Sequence, residues 1–391
     1  MLPVPNTARR SMRAPAGAYA PLPLSGSVMG VLRQRTRLTN LAVSLLFAIL
    51  CLSLLTNVQY ALAPHIQPSP IDLARKEWDE VVAPEQLDSG RPPSVEATIN
   101  RDRRMASVNH LVVVPGHAVW TGHDATEAHH DDQWVLETMQ RGGSVNTYIQ
   151  HIETAAEMLV KDPHTLLVFS GGATRPRLTS PLSEGASYHR LAAARNLLPT
   201  SPDSSSVLPP SMRATTEEYA LDSYENLVFS MARFREVTGR WPDKVTVVGY
   251  GMKKSRFEQL HRGAIRFPAA RFTYIGIDDE GDTTEHYAGE LKHGYAPFLF
   301  SPSGCRPPLS FKRADRNPFS RYPPYHASTP ELAQLLEWCP PLTPVGDITV
   351  PTTLREDESG RGDAMAPPAG FVVFEGSLPW DGLVTFDRER D

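Results

Sequence analysis

Three clusters between Ser170 and Arg256 carry the residue types from which an anion-binding or acid–base site is built, and each follows an apolar run. Leu166-Leu167-Val168-Phe169 leads into Ser170-Gly171-Gly172. An acidic run holds Glu217, Glu218, Asp222, Ser223, Glu225 and Asn226. Val245-Thr246-Val247-Val248 leads into Gly249-Tyr250-Gly251 and then Lys253-Lys254-Ser255-Arg256. Glycines after a strand let a ligand approach the main chain, and their successive N–H groups form a concavity suited to an anion, although such a pair also serves as a plain tight turn. Positive charge at the start of a helix opposes the helix dipole, so the Lys253–Arg256 cluster breaks a local rule in a way that points to an anionic ligand. Of these side chains Arg256 is the best suited, because a planar fork matches phosphate or carboxylate.

Glu217 precedes its helix and is not needed to cap it, which makes it a candidate ligand contact or general base, with Glu218 as its rival. Glu184, in Ser183-Glu184-Gly185, is either a ligand contact or an acid placed to suit the first turn of a helix. Asp222 and Ser223 are good N-caps, and Asn226, one turn into the helix, can reach back to the Gly171 loop. Ser170 as a nucleophile lacks an assigned histidine base. The insert holding His117, His123, Asp124, His129, His130, Asp131 and Asp132 is rich in metal-ligand types, but its spacings match no zinc signature and no metal is expected. There is no Gly-x-Ser-x-Gly elbow and no Walker loop. Arg361-Gly362-Asp363 reads as a chance triplet in a charged loop.

The order and spacing of the clusters resemble the domain of unknown function 218, the YdcF-like and SanA-like proteins, here as a long, membrane-anchored version of fungal type. The family pattern has a first strand ending in a small-residue turn, a strand closing on Ser-Gly-Gly, and Ser-Glu opening a helix. A glutamate then stands six residues before a Thr or Ser followed by x-Glu-Asn, and a late turn holds a basic residue. The matching positions are Val112-Val113-Val114-Pro115-Gly116, Ser170-Gly171-Gly172, Ser183-Glu184, Glu217 with Ser223 and Glu225-Asn226, and Arg256, within about residues 108 to 280. Asp222-Ser223 replaces a common Asn-Thr, and Lys253-Lys254 stands where a histidine is frequent, so no role for that histidine carries over. The resemblance implies a ligand-binding set of Gly116, Ser170, Gly171, Gly172, Glu184, Ser223, Asn226 and Arg256 around Glu217, for a small anionic or nucleotide-like ligand. It fixes neither a reaction nor a cofactor.

These residues require a scaffold of parallel strands. Leu111–Val114, Thr165–Phe169, Met212–Ala214, Lys244–Val248 and Phe272–Ile277 read as strands. Helices are expected over Asn146–Val160, Ser183–Asn196, Asp222–Gly239 and Lys254–Arg266, with a short one at Pro330–Trp338. Strands alternating with helices predict an α/β three-layer sandwich on a mostly parallel, Rossmann-like sheet. That domain spans 108–280, followed by an extension packing on it (281–345) and a Pro/Gly-rich tail (346–391).

Residues 1–37 contain six arginines and no acid, and Leu38–Leu55 is uncharged and strongly apolar. A bilayer core needs roughly 20 mainly apolar residues, so 38–60 is expected to be a transmembrane signal anchor, with 61–107 a stalk. Arg33, Arg35 and Arg37 immediately precede the span, which places the basic tail in the cytosol and the α/β domain in the lumen of the secretory pathway. The alternative is an Arg-rich presequence with anchoring in the mitochondrial inner membrane. Cys305 and Cys339 are either one disulfide or two thiols. The net charge of −5 gives no reason to expect nucleic acid. The alternative to a ligand-binding protein is a scaffold whose Pro-rich tail contacts partners.

Overall fold

The computed structural model describes residues 37–62, 98–99, 101–201, 208–344, 346–354 and 365–382. The chain divides into two units, Met1–Glu77 and Trp78–Asp391. In the first, α1 (Arg37–Leu62) contains a stretch, Ala42–Gln59, that is long and apolar enough to cross a membrane. None of the residues over that stretch is buried among the described residues. Thr56 returns its hydroxyl to the carbonyls of Leu52 and Ser53, both at 2.9 Å, which satisfies a polar group without water. The basic tail, the stalk up to residue 97 and the Arg361-Gly362-Asp363 triplet lie outside the described residues.

The second unit is built on β1 (His110–Pro115), β4 (Thr165–Ser170), β5 (Ala214–Glu217), β6 (Lys244–Gly249) and β7 (Phe272–Gly276), all parallel in the order β5-β4-β1-β6-β7. A short antiparallel pair, β2 (Val119–Trp120) and β3 (Trp134–Val135), lies within the insert after β1. Residues alternate between the faces of the sheet. Val112, Val114, Leu167 and Phe169 pack under α2 (Ser144–Lys161) and α3 (Glu184–Ala194); Leu111, Val113, Leu166, Val168, Val245 and Val247 pack under α4 (Ser223–Thr238) and a helical segment π-wound over Arg256–His261. Both faces are covered, as parallel sheets require, and the sandwich is the Rossmann-like α/β fold read from the sequence.

Local chemistry sets the element ends. Asp222 caps α4 by accepting the Glu225 N–H, and Gly239 ends it at φ 77°, a left-handed conformation that favours glycine. The third parallel strand differs from expectation: Pro210–Arg213 is a 3₁₀ turn and the strand follows it, ending on Glu217. Arg213 fixes this offset, since its Nη1 donates to the carbonyls of Leu159, Asp162 and Thr165 at 2.9–3.0 Å. The resulting register sets Pro115, Ser170 and Glu217 side by side at one sheet edge.

Helices α5 (Thr284–Glu290), α6 (Ala296–Phe300), α7 (Leu309–Asp315), α8 (Tyr325–Ser328) and α9 (Ala333–Leu336) continue the fold beyond the region with clear periodicity. Cys305 and Cys339 are joined in a disulfide. The tail reading needs correction for its described parts, because Ile348, Phe374, Leu378 and Trp380 belong to the core under α4. Trp380 is fully buried, donates its indole N–H to the Ile265 carbonyl at 2.8 Å and stacks edge-on with Trp241 and Phe267. Isolated apolar islands between prolines carry no periodicity, yet each is a single anchor. Trp380→Ala is therefore expected to lower unfolding free energy by about 3–5 kcal/mol, read by denaturant titration of the full chain; a loss under about 1 kcal/mol would mean that the tail does not belong to the core.

Candidate functional site

At the carboxyl ends of β4 and β5 the register brings Ser170 and Glu217 together, and α4 adds Asn226. Ser170 Oγ lies 2.7 Å from Glu217 Oε2 and 2.8 Å from Asn226 Oδ1. Glu217 Oε1 accepts from the Tyr219 N–H at 2.7 Å and from the Tyr325 hydroxyl at 3.0 Å. Glu217 is 1% exposed, and burial pushes its carboxyl up to about 7, against the pull of its hydrogen bonds. Ser170 has one proton for two acceptors, a conflict removed when Glu217 Oε2 carries a proton and donates to Ser170, which donates on to Asn226.

This geometry corrects the role expected of Glu217. With both oxygens engaged and almost no surface, it fastens the β5–α4 turn and has no open face toward a ligand; Ser170, fully buried, and Asn226 share that layer. Its rival Glu218 accepts from Ser183 and Thr216, each at 2.8 Å, and so ties the start of α3 to β5.

Glu184 is turned the other way. Ser183 caps α3, leaving the Glu184 side chain to lie across the ends of β1 and β4. A Cβ on Gly116 would stand 2.4 Å from Glu184 Cβ, and one on Gly171, at φ 151°, would stand 2.8 Å from Glu184 Oε2. Glycine is required at both places by this close approach. The expected N–H cradle does not form: Gly171 donates to Glu217 O at 3.0 Å, Gly172 to Ala220 O at 2.7 Å and Gly116 to Ser170 O at 2.7 Å. Those donors knit three strand ends together instead of facing a ligand.

An ionic cluster lies between the loops after β1 and β6, where the strand order reverses, the place at which open α/β sheets hold their ligands. His117 follows Gly116, and Lys253 ends a 3₁₀ turn over Gly251–Lys253. Lys253 Nζ and His117 Nδ1 are 3.2 Å apart. Arg256 is 8% exposed, more buried than a rim charge, and pairs its Nε with Glu290 Oε1 on α5 at 3.0 Å. Arg175 donates to the His117 carbonyl at 2.7 Å and pairs with Glu137. Lys312, on α7, lies within electrostatic reach of Arg256 and Glu290, and Arg316, just past α7, acts on Lys312 and Lys253. Burial, then the Arg256 cation, pushes Lys253 down to about 7, while Glu290 and Glu184 act in the opposite direction. Burial also holds the His117 imidazole well below its ordinary value, with Lys253 adding to the effect. Ser223 lies to one side, its Oγ 2.7 Å from Nε2 of the buried His261.

Of the positions read from the sequence, Ser170, Glu217 and Asn226 form one buried layer; Gly116, Gly171 and Glu184 form a second; Arg256 belongs to the ionic cluster. His117, Arg175, Lys253, Glu290, Lys312 and Arg316 were missed as site residues. His117 had a signal, standing one residue past the first strand's small-residue turn, but its insert drew attention only to metal chemistry. Insert side chains serve the insert itself: Asp124 accepts the Thr126 N–H at 2.9 Å and Asp131 the Gly142 N–H at 2.8 Å. No group of three or more metal-ligand side chains occurs among the described residues. A concavity of about 380 Å³, lined in part by His110, Asp162, Lys244 and Arg271, lies at the opposite, amino edge of the sheet. It holds none of the residues above, and His110 is occupied there by Asp162 at 3.1 Å and Thr246 at 2.9 Å.

No family model matches the chain. An uncharacterised protein of Saccharomyces cerevisiae, YOR238W, is 28% identical over 259 residues, covering 55% of this chain and 86% of the yeast protein. No solved structure matches.

Glu217 makes a test of the buried layer. Its folded-state value, raised from 4.5 to about 7, means that the native state holds a proton which the unfolded chain has lost. Its contribution is therefore fully present below pH 4.5 and is lost as pH rises through 7. Glu217→Gln mimics the protonated form and lacks that loss, so relative to wild type it should gain on the order of 2 kcal/mol between pH 5 and 8 by denaturant titration. A stability difference that stays constant across that range would show that Glu217 is ionised in the fold.

Proposed function

We propose that this chain is a single-pass membrane protein whose α/β domain resembles the domain of unknown function 218 and binds a small anionic ligand between the β1 and β6 loops. The observation that carries the reading is electrostatic. Lys253, Arg256 and Arg175 gather around His117, while Lys312 on α7 acts on Arg256 and Arg316, just past α7, acts on Lys253, opposed by Glu184, Glu290 and, at Arg175, Glu137. A concentration of like charge at the switch point of a parallel sheet, partly withdrawn from water, is costly unless an anion enters it. Phosphate or carboxylate compounds of nucleotide size or smaller fit the chemistry.

The cytosolic placement of the first 37 residues and the lumenal placement of the α/β domain rest on Arg33, Arg35 and Arg37 before the apolar helix. The Cys305–Cys339 disulfide supports an oxidising compartment, because such bonds are rare where thiols are kept reduced. A scaffold reading loses its main support, since tail residues such as Phe374 and Trp380 are core members.

Inorganic phosphate and pyrophosphate test the site. Either should raise the melting temperature of the wild-type chain, by an amount equivalent to about 2.7 kcal/mol at 100 times the dissociation constant. Arg256→Ala should weaken binding by roughly 2–5 kcal/mol and also destabilise the chain by stranding the buried Glu290. Arg316→Ala removes an exposed cation and should weaken binding less while leaving stability nearly unchanged. A wild-type chain indifferent to phosphate, pyrophosphate and nucleoside monophosphates would remove the anion-binding reading.

A further inference from the structure

We propose that the outer edge of β7 is a docking surface and that its occupant is a second copy of this chain, the two β7 strands pairing antiparallel about a two-fold axis through Ile275. This pairing does not depend on the anion site. A strand at the edge of a sheet presents a row of unpaired N–H and C=O groups, and folded proteins blunt such edges with a covering side chain, a charge, a proline or a bulge. In this chain one edge is blunted and the other is not. At β5, Arg233 lies along the strand, its Nε donating to the Thr216 carbonyl at 3.1 Å and its Nη2 to the Thr215 hydroxyl at 3.2 Å. At the opposite edge, Phe272-Thr273-Tyr274-Ile275-Gly276 runs on into Ile277 with no charge and no proline.

The ladder with β6 fixes which groups face outward. Ile277 donates its N–H to the Gly249 carbonyl at 2.9 Å, and Gly249 stands in register with Gly276. Main-chain groups alternate in direction along a strand, so Thr273, Ile275 and Ile277 turn theirs to β6, whereas Phe272, Tyr274 and Gly276 turn theirs outward. The Phe272 N–H is used in the turn before the strand, where it donates to Ala269. Among the described residues nothing bonds the outward main chain of Tyr274 or Gly276, and Thr273 and Gly276 are exposed.

This edge is complementary to itself. Pairing about an axis through Ile275 sets Tyr274 against Gly276 of the second copy, where the N–H of each meets the C=O of the other, on both sides of the axis. Ile275 then meets Ile275, and Thr273 meets Ile277, on the face where Ile275 and Ile277 are only partly covered by the core under α2. Charge sets the direction. Arg271 precedes the strand, and Asp278, Asp279 and Glu280 follow it. An antiparallel partner places Arg271 opposite Asp279 and beside the exposed Glu280, whereas a parallel partner would stack like charge on like. Such a self-complementary patch is what a two-fold interface between identical chains requires. The paired segment also leads into Asp278, whose carboxylate accepts the Met252 N–H at 3.2 Å and so braces the β6 loop.

The full chain in detergent, carrying Cys51→Ser to remove its free thiol, tests the pairing. Light scattering after size exclusion should give a protein mass twice that of one chain. Thr273→Lys sets a charge on the exposed edge and should return the mass of one chain with an unchanged circular dichroism spectrum. Under mild oxidation Ile275→Cys should form a covalent dimer about tenfold or more faster than Thr273→Cys, because only position 275 meets itself across the axis. A chain of single mass overturns the inference. A dimer that Thr273→Lys leaves intact also overturns it, since the contact then lies elsewhere, the apolar helix α1 included. Faster cross-linking at position 273 than at 275 does the same. A chain of single mass whose Tyr274 and Gly276 amides exchange slowly with solvent would assign the edge to another segment of the same chain and remove the second copy.

Discussion

The ion pair between Arg256 and Glu290, 3.0 Å apart and nearly withdrawn from water, is the interaction on which the carboxyl edge of the sheet depends. Lys253, Lys312 and Arg316 crowd the same region, and their mutual repulsion would drive the β6 loop and α7 apart without a buried carboxylate between them. Glu290 also lies near Lys253 and Lys312. Glu290 and, at Lys253, Glu184 are shared among several cations, and the positive charge left over is what the proposed ligand anion would neutralise. Truncating either partner of such a pair leaves an uncompensated buried charge.

Behind this edge lies a second, hydrogen-bonded layer. Ser170, Glu217, Asn226 and Tyr325 bind the ends of β4 and β5 to α4 and α8, and the N–H groups of Gly116, Gly171 and Gly172 lock neighbouring strand ends. Glu184 crosses two of those glycines at a separation that no side chain could share. The strand ends are thereby made rigid, and His117 emerges from them toward Lys253. A catalytic or binding group is positioned more exactingly on strand ends than on a free loop.

Much of the sheet was legible because β-branched and apolar runs bounded by glycine and proline have few alternatives. The caps Asp222 and Gly239 marked the ends of α4 to within a residue. The third strand was displaced because its register comes from Arg213, whose buried guanidinium binds three carbonyls, a tertiary contact with no local signature. The site was legible in its residue types and only partly in its partition. Sequence order marks that Ser170, Glu217 and Asn226 converge, but which side of the strand ends each occupies depends on a one-residue register. Glu290 and Arg316 carry no motif and come from the region after Asp278 where periodicity fades. Phe374 and Trp380 were hidden for the same reason, as single anchors among prolines and glycines.

The central claim is that the anion site is the space between the β1 and β6 loops. Crystals of the chain soaked in tungstate or bromide, with the anion located by its anomalous scattering, test this most directly. The account predicts the strongest peak within contact distance of Lys253 and Arg256. A strongest peak at the amino edge, beside His110, Lys244 and Arg271, with nothing near Lys253, would contradict it.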